Sequence, residues 1–579
     1  MPISNTLPDG LEEFDIIVAG GGTAGCIVAS RLAAADPGLL ILVVEYGQNN
    51  YQLPEIVHPA LFPVNVMPGS TAAIFWQTEE SEALAGRKLV VPSGGILGGG
   101  SSLETYHGPG SSKTHGSDGP IHVSSGGFRS QGPEEDFITA AAKVGFPEIT
   151  DSQDLESTNG MCRWLRYVSP EGTRQDSAHA YLHPLLVDGK HPNLHVLVET
   201  QITRVLFHDD GEEKRASGVE ICANPMFPSS SMGLRVLKAR RLVVVSAGTF
   251  GSPLILERSG IGSSEILERA GVTVIADVPG VGHDYQDHNE ILCAYKTSLG
   301  IEETQNALLG GLQTLADAAE KGDPRLGWNT VDVAGKIRPS LSEVAALGPD
   351  FDVAWEKDFK HEPAKPLGLI ALIAGYLGDR SLVQGGEFVQ VVSYSAYPYS
   401  RGSIHITGPE MTDKPRFVNG YLTDANDFDL KAHVWQYKKQ REIMRRTRMY
   451  RGEVAAHHPV FPLGSKAACL SLEILQSTDT TTIEDVVYTV EDDKAIEDFV
   501  RENLTTTWHA LGTVKMAPRE DMGVVDRSMN VYGVRGLKVV DLSIVPENVG
   551  ANTNNTAMMI GEKGAVIIAE ELGLGRVYK

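Results

Sequence analysis

Short apolar runs separated by glycine-rich turns set the pattern at both ends of the chain. Residues 14–19 (Phe14-Asp15-Ile16-Ile17-Val18-Ala19) form a mostly apolar, β-branched run that reads as a buried strand. Gly20-Gly21-Gly22-Thr23-Ala24-Gly25 follows at once, and residues 26–33 put small and apolar side chains on one face of a predicted helix. Asp36-Pro37-Gly38 stops that helix, and residues 40–44 make a second buried strand ending in Glu45. Together these elements predict a βαβ unit. Further strands are predicted at 194–199, 204–207 and 241–246, the last running through a Gly/Ser-rich turn into a helix over 254–258. Residues 92–119 hold nine glycines and read as loop. From 291 to 500 the texture changes: helical stretches (301–321, 425–448) alternate with strands at 388–394 and 403–406. A last strand at 537–540 and a helix at 556–572 close the chain, and no internal repeat is visible.

Composition narrows the classes. The 579 residues are 42% hydrophobic and 21% charged, the balance of a globular protein with a sizeable core. The 61 glycines exceed the average share of about 7%, which predicts many tight turns or close backbone approaches. A net charge of −24 repels nucleic acid and anionic lipid, so neither is expected as a partner. Five widely spaced cysteines without a CxxC pair argue against a disulfide framework or zinc site, and no metal is expected. There is no apolar run long enough to span a membrane, no basic-then-apolar leader and no Ser-Lys-Leu ending. An intracellular, cytoplasmic location is the expectation.

The chemistry concentrates in a few motifs. Gly20-x-Gly22-x-x-Gly25 lies between a strand and a helix, with Glu45 at the end of the next strand. Gly20 permits the tight turn, Gly22 lets a pyrophosphate approach the backbone, and Gly25 lets the helix pack against the strand. The helix start offers unpaired N–H groups to phosphates, and Glu45 can accept from ribose hydroxyls. This constellation binds a dinucleotide but does not separate NAD from FAD. The loop Gly94-Gly95-Ile96-Leu97-Gly98-Gly99-Gly100-Ser101-Ser102 can lay its backbone against a planar or phosphorylated ligand, and a plain surface loop reads equally well. Trp508-His509-Ala510-Leu511-Gly512-Thr513 and Val540-Asp541-Leu542, running on to Asn552, complete the set.

These blocks resemble the glucose–methanol–choline (GMC) flavoprotein oxidoreductases, and within them the fungal alcohol oxidases. Asp176-Ser177-Ala178-His179-Ala180-Tyr181, Gln286-Asp287-His288, Ser400-Arg401-Gly402-Ser403 and the stretch from Thr506 to Lys563 carry the likeness further. The resemblance implies a mixed α/β fold, α+β overall. A Rossmann-like FAD-binding domain (11–135, 191–290 and 501–575) would interleave with a substrate-binding domain (150–190 and 291–500) built on an antiparallel sheet with helices. It implies FAD rather than NAD, held by Gly20, Gly22, Gly25, Glu45, Ile202, Asp541 and Leu542, with Gly98, Gly99, Gly100 and Ser101 near the isoalloxazine ring. His509 matches the family's catalytic histidine and Asn552 its partner. The residue chemistry agrees: a histidine takes a proton near neutral pH, and an amide can orient the hydroxyl that gives it up.

The expected reaction is oxidation of a primary alcohol by O2 to an aldehyde and H2O2. The alternatives are a dehydrogenase with another acceptor, a flavin-binding lyase or cyclising enzyme, and a defective flavin-binding relic. A homo-oligomer is left open. The chain departs from the family after Ser102: Glu104 stands where an asparagine is expected, and a helical stretch before Gly119 is missing. Sequons at Asn503 and Asn554 are expected to be unglycosylated, the second lying close to the proposed site. The histidine pair His457-His458 is read as packing or a pocket wall, and the basic run from Lys438 to Arg448 as an ion-paired helix face.

Overall fold

The computed structural model describes residues 3–8, 10–102, 115, 119–211, 213–227, 233–470, 483–575 and 577. Two sheets organise it. The first contains β1 (Glu13–Ala19), β2 (Ile41–Val44), β3 (Leu194–Leu197), β4 (Thr200–Asp210), β5 (Glu213–Ala223) and β6 (Arg235–Val245). Its centre runs β3-β2-β1-β6, all parallel, with Val196, Val43, Val18 and Val244 in register. The strand Leu537–Val539 joins β6 in parallel, while β5 pairs antiparallel with both β6 and β4. The centre is parallel because its strands are apolar on both faces and are covered on both, as their burial shows.

Glycine decides how closely the helices lie. Helix α1 (Thr23–Ala35) follows β1 directly, and α2 (Gly248–Arg258) follows β6. The long C-terminal helix Asn554–Glu571 packs on α1, where a Cβ at Gly561 would come within 3.0 Å of the Ala24 Cα.

The second sheet is antiparallel. It contains β7 (Asn289–Thr297), β8 (Val331–Ile337), β9 (Gly368–Ile373) and β10 (Glu387–Ser395) in the order β7-β10-β9-β8. Tyr450–Glu453 flanks β7 and Gly160–Arg163 flanks β8. Helix α3 (Phe428–Arg445) buries Trp435, Tyr437, Ile443 and Met444. Three of its basic side chains are ion-paired as the sequence suggested: Lys438 with Asp493 (2.5 Å), Lys439 with Glu343 (2.6 Å), Arg441 with Glu453 (2.9 Å). Just beyond it, Arg446 pairs with Asp485 and Arg448 with Asp136. Each sheet has its own apolar core.

Two predicted elements differ. The stretch 301–321 is broken into Ile301–Glu303, Asn306–Leu309 and Leu315–Glu320, because Gly310-Gly311 turns the chain (Gly311 φ +71°) and Thr314 caps a fresh start. The helix expected at 254–258 begins earlier, at Gly248, with Pro253 inside it, beyond the first turn, where the ring removes one backbone hydrogen bond. Among the described residues no helix is long and apolar enough to cross a membrane.

Candidate functional site

A cavity of about 400 Å³ lies at the ends of the parallel strands, where ligands bind in open α/β sheets. Gly20, Gly22, Glu45, Ile202, Gly99, Gly100, Asp541 and Leu542 line it, as the sequence anticipated. Three helix starts face it together: Thr23 and Ala24 of α1, Gly248 and Thr249 of α2, and Asn554 of the C-terminal helix, preceded by Thr553. Each carries a partial positive charge from its backbone dipoles. Their convergence suits a ligand with a doubly charged anionic centre. At Gly22 a Cβ would meet nothing closer than 3.8 Å, so its backbone stands open to that ligand.

The acidic residues of this cavity are anchored by backbone donors. Glu45 accepts from Gly21 N at 2.7 Å and Gly47 N at 2.8 Å, and burial pushes its carboxyl upward from the ordinary value. Asp541 accepts from Gly248 N at 2.9 Å and Ser543 N at 2.8 Å, and burial raises it too. Glu45 keeps lone pairs for a ligand, whereas both Asp541 oxygens are also taken by the Ser252 and Ser543 hydroxyls.

Gly25, Gly98 and Ser101 do not line the cavity but brace it. A Cβ on Gly25 would lie 2.0 Å from the Gly20 carbonyl oxygen, so only glycine allows α1 to leave β1 at this angle. Gly98 donates to Gly21 O at 2.8 Å, and Ser101 Oγ donates to Gly98 O at 2.6 Å. This ties the Gly98–Ser102 loop to the β1–α1 turn.

A second, smaller cavity of about 180 Å³ adjoins the first, and Trp508 lines both. Trp508 adopts φ +65°, a left-handed conformation that costs a bulky residue energy and is held by its N–H donating to Thr506 Oγ1 at 2.8 Å. The turn delivers His509 to the wall of the smaller cavity, where Asn552 joins it from the segment before the C-terminal helix. Asp287, fully buried beneath them, fixes the His509 backbone by accepting from its N–H at 2.9 Å and also accepts from Tyr285, Tyr421 and Thr506 hydroxyls.

The His509 tautomer follows from its surroundings. His288 Nε2 faces two carbonyl oxygens, Ala396 O at 3.0 Å and Val549 O at 2.9 Å, which only accept. Nε2 therefore carries the His288 proton. Burial holds that imidazole neutral, with its pKa lowered to about 4. His288 Nδ1 is then an acceptor, 3.0 Å from His509 Nδ1. Thr507 Oγ1 donates to His288 O and so also accepts at His509 Nδ1, 2.8 Å away. His509 carries its proton on Nδ1, which leaves Nε2 as the basic atom. Burial and the neighbouring His288 push His509 well below the ordinary histidine value, so it is neutral at pH 7.

The remaining wall is mostly apolar: Trp164, Leu292, Val331, Ile373, Val392 and Tyr394. Asn329, Thr507 and Glu290 are polar, and Glu290 carries a carboxyl. It sits opposite Tyr394 in the β7–β10 register, and burial, with the nearby Asp287, raises its carboxyl to about 8.

Other sequence expectations fall outside the site. His115 bonds Asp151 (2.8 Å), His457 the Tyr376 hydroxyl (2.6 Å), and His458 Tyr437 (3.1 Å). Asn554 is buried against the first cavity, so a glycan there has no room. Glu104 lies outside the described residues. Sequence reasoning placed His288 in a family block without giving it a role, and did not find Tyr394, Glu290 or the roles of Thr553 and Asn554 as a helix start. Only the last left a signal, a Thr-Asn pair opening an apolar helix.

Residues 109–290 and 398–561 match two family models, both described as GMC oxidoreductase. The chain is 35% identical to alcohol oxidase of Candida boidinii, covering 97% of this chain and 96% of that one. It is 33% identical to alcohol oxidase 1 of Komagataella phaffii, with the same shares. Among solved structures it resembles formate oxidase from Aspergillus oryzae (TM-score 0.78, 21% identity, 98% and 99% covered). A fungal aryl-alcohol oxidase is similar as well (TM-score 0.74, 19% identity, 97% and 100% covered).

Proposed function

The chain belongs to the GMC oxidoreductase family, and from that premise we propose that it oxidises a primary alcohol to an aldehyde with FAD as cofactor and O2 as acceptor, releasing H2O2. The observation that carries this reading is the pair of adjoining cavities. One fits a dinucleotide; the other brings a neutral, buried histidine and an amide to one small space.

FAD fits the residues of the larger cavity. Three helix starts face where a pyrophosphate belongs, Gly22 leaves room for it, and Glu45 offers acceptors for a ribose. Gly20, Gly22, Glu45, Ile202, Gly99, Gly100, Asp541 and Leu542 would hold it, with Gly25, Gly98 and Ser101 fixing the turn beneath. Residues 11–135, 191–290 and 501–575 make the cofactor half in this reading, and 150–190 with 291–500 the substrate half. Bound FAD supplies the acceptor for the carbinol hydride and the route for two electrons to O2.

The chain's own residues do the rest. His509 Nε2 takes the hydroxyl proton, because its neutral form is favoured and its other nitrogen is committed to His288. Asn552 steadies the alcohol oxygen as it becomes negative. Apolar walls exclude water from a small alcohol. The test is direct. The purified protein is expected to be yellow, to bleach anaerobically with small primary alcohols, and to release one peroxide per alcohol in air. A colourless protein that takes up no FAD overturns the cofactor assignment. Bleaching without peroxide would make it a dehydrogenase, and turnover without bleaching a lyase.

A further inference from the structure

Asn552 can do two opposite things in the alcohol pocket. Its amide ends in a donor, Nδ2, and an acceptor, Oδ1, of nearly the same size. Turned one way it steadies a negative oxygen; turned the other it repels one. The residue itself does not choose. Its neighbour does.

Tyr394 lies on β10 with its ring in the pocket wall, 6.1 Å from the His509 ring. Its hydroxyl donates to Asn552 Oδ1 at 2.8 Å. That bond occupies the amide oxygen and holds it against the sheet. The amino end, Nδ2, is thereby turned away from Tyr394. Among the described residues no group accepts from Nδ2, and Asn552 is only half-buried because it opens onto the cavity.

We propose that Tyr394 is a positioning residue for alcohol oxidation: its hydroxyl locks the Asn552 amide so that Nδ2 donates to the substrate oxygen while His509 Nε2 takes the hydroxyl proton. This rests on the oxidase reading of the site. The alcohol oxygen then lies between one donor and one base. It gives its proton to His509 and keeps the hydrogen bond from Asn552, which strengthens as negative charge builds on the oxygen. The proton moves to Nε2, and the electron pair of the C–H bond leaves with the hydride. Without the Tyr394 hydroxyl the amide can rotate by half a turn and present Oδ1, an acceptor that opposes the developing charge.

The test is a double-mutant cycle on anaerobic flavin bleaching. Tyr394→Phe removes one oxygen from the ring. It is expected to slow bleaching by about 2- to 12-fold, the range of one net hydrogen bond. In the Asn552→Ala background the same change is expected to do nothing further, because the proposed role of the Tyr394 hydroxyl runs through the amide. A second readout is independent of turnover. Binding of tert-butanol, which has no carbinol hydrogen, can be followed by fluorescence of Trp164 and Trp508 in the wall. Its affinity should drop for Tyr394→Phe and stay level between Asn552→Ala and the double variant. Asn552→Asp keeps an acceptor for Tyr394 but removes the amino donor. It should bleach no faster than Asn552→Ala. The proposal is overturned if Tyr394→Phe bleaches at the native rate, if it slows the Asn552→Ala protein equally, or if Asn552→Asp retains the native rate. A protein that keeps its visible spectrum and binds tert-butanol normally but never bleaches would count against the oxidase reading and not against the lock.

Discussion

The Nδ1 atoms of His288 and His509 lie 3.0 Å apart, and the carbonyls on the far side of His288 decide which of the two carries the proton between them. The lone pair on His288 points at the Nδ1–H of His509. Protonating His509 therefore means placing a positive charge inside a buried pair of rings.

His288→Gln should move the acid limb of kcat/KM to higher pH. His288 lowers the His509 pKa, so its removal raises that pKa. The reaction needs neutral His509, and activity is lost as pH falls through that value. A raised pKa makes the loss begin sooner on the way down. An unchanged profile from stopped-flow bleaching would break the link between the two rings.

His509→Ala should keep the fold and the oxidised flavin spectrum but slow bleaching by ~10²–10⁴-fold, the usual cost of losing a general base. Native-rate bleaching in this variant would remove His509 from the chemistry.

Glu290 predicts an alkaline effect. Its carboxyl is neutral below about pH 8 and charged above it. A carboxylate in this wall holds water against an apolar alcohol, so KM for an uncharged alcohol should rise above pH 8 with little change in kcat. Glu290→Gln should flatten the rise. A KM that rises equally in both proteins would place the titrating group elsewhere.

Gly25→Ala tests the turn that supports the cofactor. Its methyl would sit 2.0 Å from the Gly20 carbonyl oxygen, so α1 must shift. A loss of about 1–3 kcal/mol is expected from such overpacking, with less FAD bound per chain. Differential scanning calorimetry and the absorbance ratio measure both, and native values for both would show that the turn yields freely.

How much of this was legible depends on distance along the chain. The β1–α1–β2 unit could be read because strand, glycine turn, helix and Glu45 fall within a few dozen residues and their periodicities are local. His509 and Asn552 came from the likeness of whole blocks to a known family, since a histidine after a tryptophan has no chemistry of its own. The partners that set their behaviour were invisible. Tyr394 and Asn552 are 158 residues apart, and His288 and His509 are 221 apart. Only the register of β7 on β10 brings Glu290 and Tyr394 to one face. The break in the stretch 301–321 falls at Gly310-Gly311, two residues that favour a turn over a helix.

The three helix starts that meet at the larger cavity also bear on how the protein stays folded. Each contributes about half a positive charge, and like charges brought together repel. The native arrangement thus carries a built-in cost that a bound diphosphate cancels. A ligand that binds only the folded chain raises its stability by RT ln(1 + [L]/Kd). Added FAD should therefore raise the melting temperature with concentration, and an ADP-sized fragment carrying the same diphosphate should reproduce much of the rise. In that sense the cofactor is a structural member of the molecule as much as a reagent, and cellular flavin supply would set how much of the chain survives.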